Sequence, residues 1–528
     1  MQINWTWRKR SYSRTVLPED AEAPLSRLLW LAGPLPPRPL CTGLGACGRC
    51  LVRFISPPPP AVSKEKTLLD CARLEAGFRL ACCHTPESIQ AQAQTQRHEA
   101  RETILLEIAE GGEERGAEGC AEREKQLSLH DFKPECMAFD IGTTSLCWAG
   151  ARADGSLFFE DSCLNPQAGA GSDVISRLAL ARDPAMRTLL SECVRKRMRR
   201  EIPSSVRRLV VCGNTAMTDI FLDRPVDGLC QAPLFLTHQG NEYVYLPGFP
   251  KIYIPPLAAP FIGSDVTCGL MVPELVSQRL PWIFIDLGTN AEFALRTEKS
   301  LYFASVPMGP AVEGIGMRCG SLAGEGVVTG YKLEAQGLCA IPDGASLGIA
   351  ATGYFSLLAL LVSVGVLDLD GHFKESHPVP LVRKILAHCD HSSGRERLML
   401  PSGLFLDASD IEACLTVKAA FCVAFSLLLS AAALDARDLS CVVLAGALGA
   451  HCDPSALRTL GFFPEGAPPC LVLGNTALAG ALEIAKHCDR ARDLVRLCER
   501  AHCLSLTEDP RFAPLFFEAM RFAPLSCA

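Results

Sequence analysis

Ile283 to Glu292 reads IFIDLGTNAE, three apolar residues of a buried strand that run into Asp286 and then into a Gly288-Thr289-Asn290 turn. A tight backbone bend and a hydroxyl at such a tip can face a phosphate. Met137 to Ser145, MAFDIGTTS, repeats the order: apolar strand, Asp140, then Gly142-Thr143-Thr144. Two such tips in one chain predict a duplicated nucleotide-binding fold closing around one phosphate tail. Without a phosphate, the two Asp residues would simply cap strand-end turns.

Other segments extend the pattern. LVVCGNT ends a further apolar run in Gly213-Asn214-Thr215, with a helix expected from near Ala216. MGPAVEGIG from Met308 is a glycine-rich loop carrying Glu313, and CVVLAGALG from Cys441 carries Gly446 and Gly449, whose small size would let an adenine and ribose lie against the backbone. Several strand-Gly-polar turns aimed at one cleft point to a nucleotide site. Neither a Walker loop nor a strand-linked G-x-G-x-x-G is present.

A second chemistry sits near the start. Cys41, Cys47 and Cys50 in CTGLGACGRC are spaced C-x5-C-x2-C, and Cys82 follows in RLACCH. Three thiolates on a glycine-bearing loop plus one distant thiolate is the donor arrangement of a ferredoxin-type [2Fe-2S] cluster. Gly43, Gly45 and Gly48 supply the permissive dihedrals. A zinc site would more usually show two C-x2-C knuckles, and only Cys47 with Cys50 makes one. Cys71 and Cys83 compete with Cys82 for the fourth position, which the helix, glycine turn and strand pattern of Lys64 to Cys82 favours for Cys82.

At 528 residues the chain exceeds one core, and 48% hydrophobic with 21% charged residues suits a globular protein. A net charge of −7 gives no reason to expect nucleic acid as partner. The 26 cysteines come without an apolar signal core behind MQINWTWRKRSYSR, and a reducing cytoplasm is the expected compartment. Two apolar runs, Ala345 to Leu367 and the shorter Ala419 to Leu434, are read as buried helices rather than membrane spans, the first starting near Tyr354. The expected domains are a cluster domain at 1–86, a polar linker at 87–135 on which that domain could swing, the two halves of the nucleotide-binding core at 136–275 and 276–486, and a helical tail at 487–528.

Together, DIGTTS, NPQAGAGSDVISR from Asn165, VVCGNTAM, FIGSDVTCGL from Phe261, DLGTNAE, GPAVEG and GNTALAGA from Gly474, behind the cysteine loop, resemble the ATP-dependent reductive activators of corrinoid proteins. That resemblance implies an α/β fold: a small N-terminal ferredoxin-type, β-grasp-like domain, then a duplicated ribonuclease-H-like ATPase core of the actin, sugar-kinase and Hsp70 type. It implies one-electron transfer to an inactivated Co(II) corrinoid protein, restoring Co(I), with a low-potential donor and leaving room for a homodimer. ATP is required because Co(I) is a strong reductant, and each tenfold of unfavourable equilibrium in a one-electron step is about 59 mV. In that scheme Asp140 and Asp286 hold Mg2+ or its water shell. Thr143, Thr144, Thr289 and Asn290 bind phosphate oxygens, and Glu313 orients water. A small-molecule kinase of the same fold would leave the cysteine loop without a role.

Overall fold

The computed structural model describes residues 1–31, 35–38, 40–41, 47–95, 103–108, 133–152, 154–171, 173–308, 317–390 and 396–525. Glu313 with its loop, and Gly43 and Gly45, lie outside the described residues.

The two Asp-bearing runs become equivalent strands. β6 (Cys136–Ile141) and β12 (Trp282–Leu287) share one pattern, buried at every position except the Asp at the fifth, because both faces of each sheet are covered. With β7 (Ser145–Ala151), β8 (Leu157–Leu164), β9 (Arg208–Gly213), β10 (Glu242–Val244) and β11 (Ile252–Ile254), the first sheet runs β10-β11-β9-β6-β7-β8. The second is built from β13 (Asn290–Arg296), β14 (Leu301–Pro307), β20 (Cys441–Ala445), β21 (Cys470–Val472) and β22 (Ala501–Cys503), in the order β21-β20-β12-β13-β14-β22. In each sheet the Asp strand lies between a parallel neighbour and its own antiparallel hairpin partner. The duplication read from two short motifs is therefore a duplication of topology. The intervening strands β15 (Gly330–Glu334) with β16 (Gly337–Ile341), and β17 (Cys389–Asp390), β18 (Arg397–Met399) and β19 (Phe405–Asp407), form two small antiparallel sheets.

Helices Ser264–Gly269 and Thr476–Lys486 join the halves. Their apolar residues share one core with Ala138 and Cys212 of the first sheet and Phe284 and Val443 of the second. The two helices cross backbone to backbone: a Cβ on Gly480 would stand 1.8 Å from the Cys268 carbonyl oxygen. The helix 476–486, expected within the second half, thus packs on β6 and β9 of the first.

Helix Ala408–Ala431 is long and apolar enough to cross a membrane, longer than the run 419–434 suggested, with 78% of its most apolar stretch buried. Phe421 meets Phe293, Phe462 and Phe463 edge-on. Helix Ala351–Ser363 starts three residues before Tyr354 and is buried along most of its length.

In the N-terminal domain β1 (Gln2–Trp7), β2 (Arg10–Thr15), β3 (Leu51–Phe54), β4 (Phe78–Leu80) and β5 (Thr103–Ile108) make a sheet ordered β2-β1-β5-β3-β4. Its central strand falls inside the expected linker 87–135, which is therefore corrected: Pro86–Thr95 is helical and 103–108 completes the sheet. Ile104, Leu106 and Ile108 alternate into the core while Leu105 and Glu107 face out, the period-2 pattern of a half-buried strand. The tail 487–528 is not wholly helical either, since β22 adds a parallel edge to β14. Lys418, fully buried, anchors the tail through the Ala519 carbonyl at 3.1 Å and that of Ala523 at 2.5 Å.

Candidate functional site

The first tip is tied down from behind. Gly142 leaves no room for a side chain, since a Cβ would lie 2.9 Å from the Ser145 carbonyl oxygen. Buried Asn165 donates from Nδ2 to the Gly142 carbonyl at 2.6 Å, and its backbone N–H donates to the Thr144 carbonyl at 2.8 Å. Fully buried Arg177 donates to the Thr143 carbonyl and, through Nε, to that of Gly171 at 2.9 Å. With these carbonyls bound from below, the tip's shape is set before any ligand arrives.

Beside it four carboxylates converge. Burial, with Asp140 nearby, pushes the Asp286 carboxyl up to about 7. Burial raises Asp265 to about 8, with Asp286 and Asp140 adding to it, and raises Asp140 to about 6 against the hydrogen bond from Asn475. Glu292 is raised well above its ordinary value by burial and by Asp265 and Asp286. Asn475 Nδ2 donates to Asp140 Oδ2 at 2.9 Å, so the residue that caps helix 476–486 also closes the cleft across the two halves. Desolvated like charges disfavour folding unless a cation joins them.

Asp265, Glu292 and Asn475 were absent from the expected site. For Glu292 the signal was in the spacing: a hairpin turning at 288–290 sets Asp286 directly opposite Glu292. Like charges paired across a strand are unfavourable in a purely structural hairpin. Asp265 could not be found that way, because only the packing of helix Ser264–Gly269 brings it to the tips.

The remaining expected residues divide. Asn290 hydrogen-bonds Glu292, and the Asn290 carbonyl accepts the Gly288 N–H at 2.8 Å, which shapes the second tip. At the third tip, Asn214 caps helix Thr215–Leu222 and donates to the Phe261 carbonyl at 3.3 Å, while Thr215 donates to the Ala259 carbonyl at 2.8 Å. These groups brace the segment leading to Asp265. Gly213 is required there, its Cβ position lying 2.8 Å from the Ile141 carbonyl oxygen. Gly446, at φ +83°, faces the second tip: its Cβ would stand 2.1 Å from Asp286 Oδ1, and Gly449 packs on Leu287. Both glycines serve close approach of β20 to the tip.

The cysteines gather at one end of the N-terminal sheet. Cys41, Cys50 and Cys82 are buried and Cys47 is half-buried. Hydrogen bonding with Cys41 raises the Cys47 thiol, and hydrogen bonding with Cys41, Cys50 and Cys83 raises that of Cys82. The Cys82 N–H donates to Cys50 Sγ at 3.4 Å, whereas Cys83 meets Cys82 at 3.9 Å from the more open side. Four thiols converging with a backbone N–H aimed at one sulfur is a donor set that fits an iron–sulfur cluster. Among the described residues no three His, Cys, Asp or Glu side chains are spaced to grip a single metal ion. Behind the thiols Glu65 accepts from the Leu80 N–H at 2.7 Å and contacts His84 Nε2 at 2.9 Å, fixing the chain on both sides of Cys82.

Comparison with known proteins identifies the two halves that form the carboxylate cleft. A family model described as the RACo middle region matches residues 136–278, and one described as the C-terminal domain of RACo, the ASKHA domain, matches residues 281–526. The chain is 28% identical over 384 residues to the corrinoid activation enzyme RamQ of Eubacterium limosum, covering 65% of this chain and 63% of that one. It is 25% identical over 338 residues to the [Co(II) methylated amine-specific corrinoid protein] reductase of Methanosarcina barkeri, covering 56% and 59%. The chain thus spans about three-fifths of the length of these relatives. A solved structure of a reductive activator for corrinoid, iron-sulfur protein matches with a TM-score of 0.62 at 19% identity over 98% of both chains, so the fold is shared end to end. This chain belongs to the RACo family, with a C-terminal ASKHA domain of the actin and sugar-kinase type.

Proposed function

We propose that this chain reactivates a corrinoid protein by delivering single electrons to its Co(II) state, assisted by binding and hydrolysis of Mg-ATP. The observation that carries the proposal is the meeting, in one chain, of four converging thiols and a two-tip cleft lined by carboxylates. The names of two relatives, a corrinoid activation enzyme and a corrinoid protein reductase, support it.

Cys41, Cys47, Cys50 and Cys82 would hold a [2Fe-2S] cluster, which when bound supplies reversible one-electron storage. The electron comes from a low-potential donor and ends on cobalt, Co(II) becoming Co(I). In the ATPase cleft Asp140 and Asp286 would hold Mg2+, which when bound offsets the negative charge of the phosphates. Gly142, Thr143 and Thr144 on one tip and Thr289 and Asn290 on the other would bind the phosphate oxygens, with Gly288 shaping the second tip through its N–H bond to the Asn290 carbonyl. Glu313 would orient the attacking water, as read from the sequence, and Asp265 and Glu292 are the further cleft carboxylates that would serve in its stead.

The test uses the intact chain under anaerobic conditions with a low-potential donor, a Co(II) corrinoid protein and Mg-ATP, following Co(I) by absorbance. Omitting ATP or deleting residues 1–108, the whole N-terminal sheet domain, should each slow Co(I) formation strongly. Equal rates without nucleotide would sink the proposal.

A further inference from the structure

The expected tether gives way to a docked domain, and the docking surface lies directly behind the first phosphate tip. Helix Leu25–Trp30 ends against Ala168–Ala170, and Leu31 is buried in the core of the first ATPase half with Met137, Phe139 and Ile141. The approach is backbone on backbone. A Cβ on Gly169 would meet the Trp30 carbonyl carbon and oxygen at 2.9 Å and the Leu31 nitrogen at 3.0 Å. Gly169 belongs to the segment 165–171 whose Asn165 and Gly171 are bonded to the tip and to Arg177. On the other side, the buried Arg38 guanidinium stands 4.9 Å from the centre of the Trp30 ring, and Arg38 Nη1 donates to the Arg49 carbonyl at 2.7 Å. Arg49 is the residue before Cys50.

We infer that Gly169, Trp30 and Arg38 couple the nucleotide state of the Gly142–Thr144 tip to the shape of the Cys47–Cys50 loop. The inference rests on the proposed function and adds to it the route by which one site acts on the other. Asn165, Arg177, Gly169, Trp30 and Arg38 are all buried, and close-packed interiors transmit displacement rather than absorb it. A shift of the tip on binding phosphate pulls on Asn165 and Arg177, moves Gly169 against the Trp30 backbone, and reaches the Arg49 carbonyl through the stacked guanidinium. In this route Gly169 acts through the Trp30 backbone and Arg38 through the Arg49 carbonyl, so they are positioning residues.

The experiment compares the full-length chain with Gly169→Ala and Arg38→Gln, each loaded with iron and sulfide. Three quantities are read: phosphate release from Mg-ATP, the visible circular dichroism of the cluster, and amide exchange of residues 25–31 and 47–50 with and without Mg-AMPPNP. In the unaltered chain the nucleotide should change both the dichroism and the exchange. An ATP-dependent acceleration of Co(I) formation, on the order of 10-fold, is expected with it. Both variants should keep phosphate release and the resting cluster spectrum and lose the nucleotide-induced changes. Should Gly169→Ala not fold, Arg38→Gln carries the test, since it removes only the stacked and hydrogen-bonded head group. Undiminished nucleotide-induced changes in Arg38→Gln, or none in the unaltered chain, overturn the coupling. A colourless unaltered chain, or one without phosphate release, instead overturns the proposed function, and with it the inference.

Discussion

Asp286→Asn separates the cost of the carboxylate cleft from its use. The Asp286 carboxyl is moved from 3.8 to about 7 by burial and by Asp140. At about 1.4 kcal/mol per pKa unit, the whole shift corresponds to roughly 4 kcal/mol. Asp286 is partly open to the cleft. Solvent there screens the charge, so about 1–2 kcal/mol is the working figure. The sign follows from linkage: a carboxyl whose folded pKa is raised binds its proton more tightly when folded. The ligand-free protein therefore loses stability as pH rises from about 4 to about 7, with no further loss above. Asparagine removes that loss. Without ligand, Asp286→Asn should melt about 1–2 °C above the unaltered chain at pH 8, with the gap closing as pH falls towards 4. Mg-ATP at a hundredfold its dissociation constant should add about 2.7 kcal/mol to the unaltered chain. It should add almost nothing to the variant, whose phosphate release is lost while its cluster spectrum stays the same. Thermal melts by intrinsic fluorescence at several pH values, with and without Mg-ATP, read all of this. A variant that melts lower at pH 8, or gains as much from Mg-ATP, would refute the reasoning.

Cys82→Ser should bleach or distort the cluster spectrum while Cys83→Ser leaves it intact, and the reverse result would move the fourth ligand to Cys83. Gly480→Ala, whose Cβ would lie 1.8 Å from the Cys268 carbonyl oxygen, should force apart the two helices joining the halves. That costs about 1–3 kcal/mol or more, read as a lowered melting temperature, and an unchanged melt would contradict the close crossing. Mg-ATP binding should release protons at neutral pH and weaken as pH falls from about 8 to about 6, because protons on Asp265, Asp286 and Asp140 compete with the cation. Calorimetry in two buffers of different ionisation enthalpy measures the release; none at pH 7 would place the cation elsewhere.

Much of this protein was legible in order along the chain. Apolar triplets ending in Asp140 and Asp286, each followed by Gly and Thr, encode a buried strand and a tight tip in a few consecutive residues, so the sequence determined the duplicated α/β core by itself. The proposed cluster site could be read for the same reason, three of its four proposed ligands lying within ten residues. Residues 103–108 show where this fails. One six-residue apolar alternation inside a long polar stretch has no local sign that it will be the central strand of a sheet whose other members lie before it. The four-carboxylate cleft, the return of helix 476–486 to the first half and the docking of Trp30 on Gly169 were decided only by tertiary structure. Each joins residues far apart in sequence whose proximity depends on how two sheets and a small domain pack, and a linear pattern carries no record of packing.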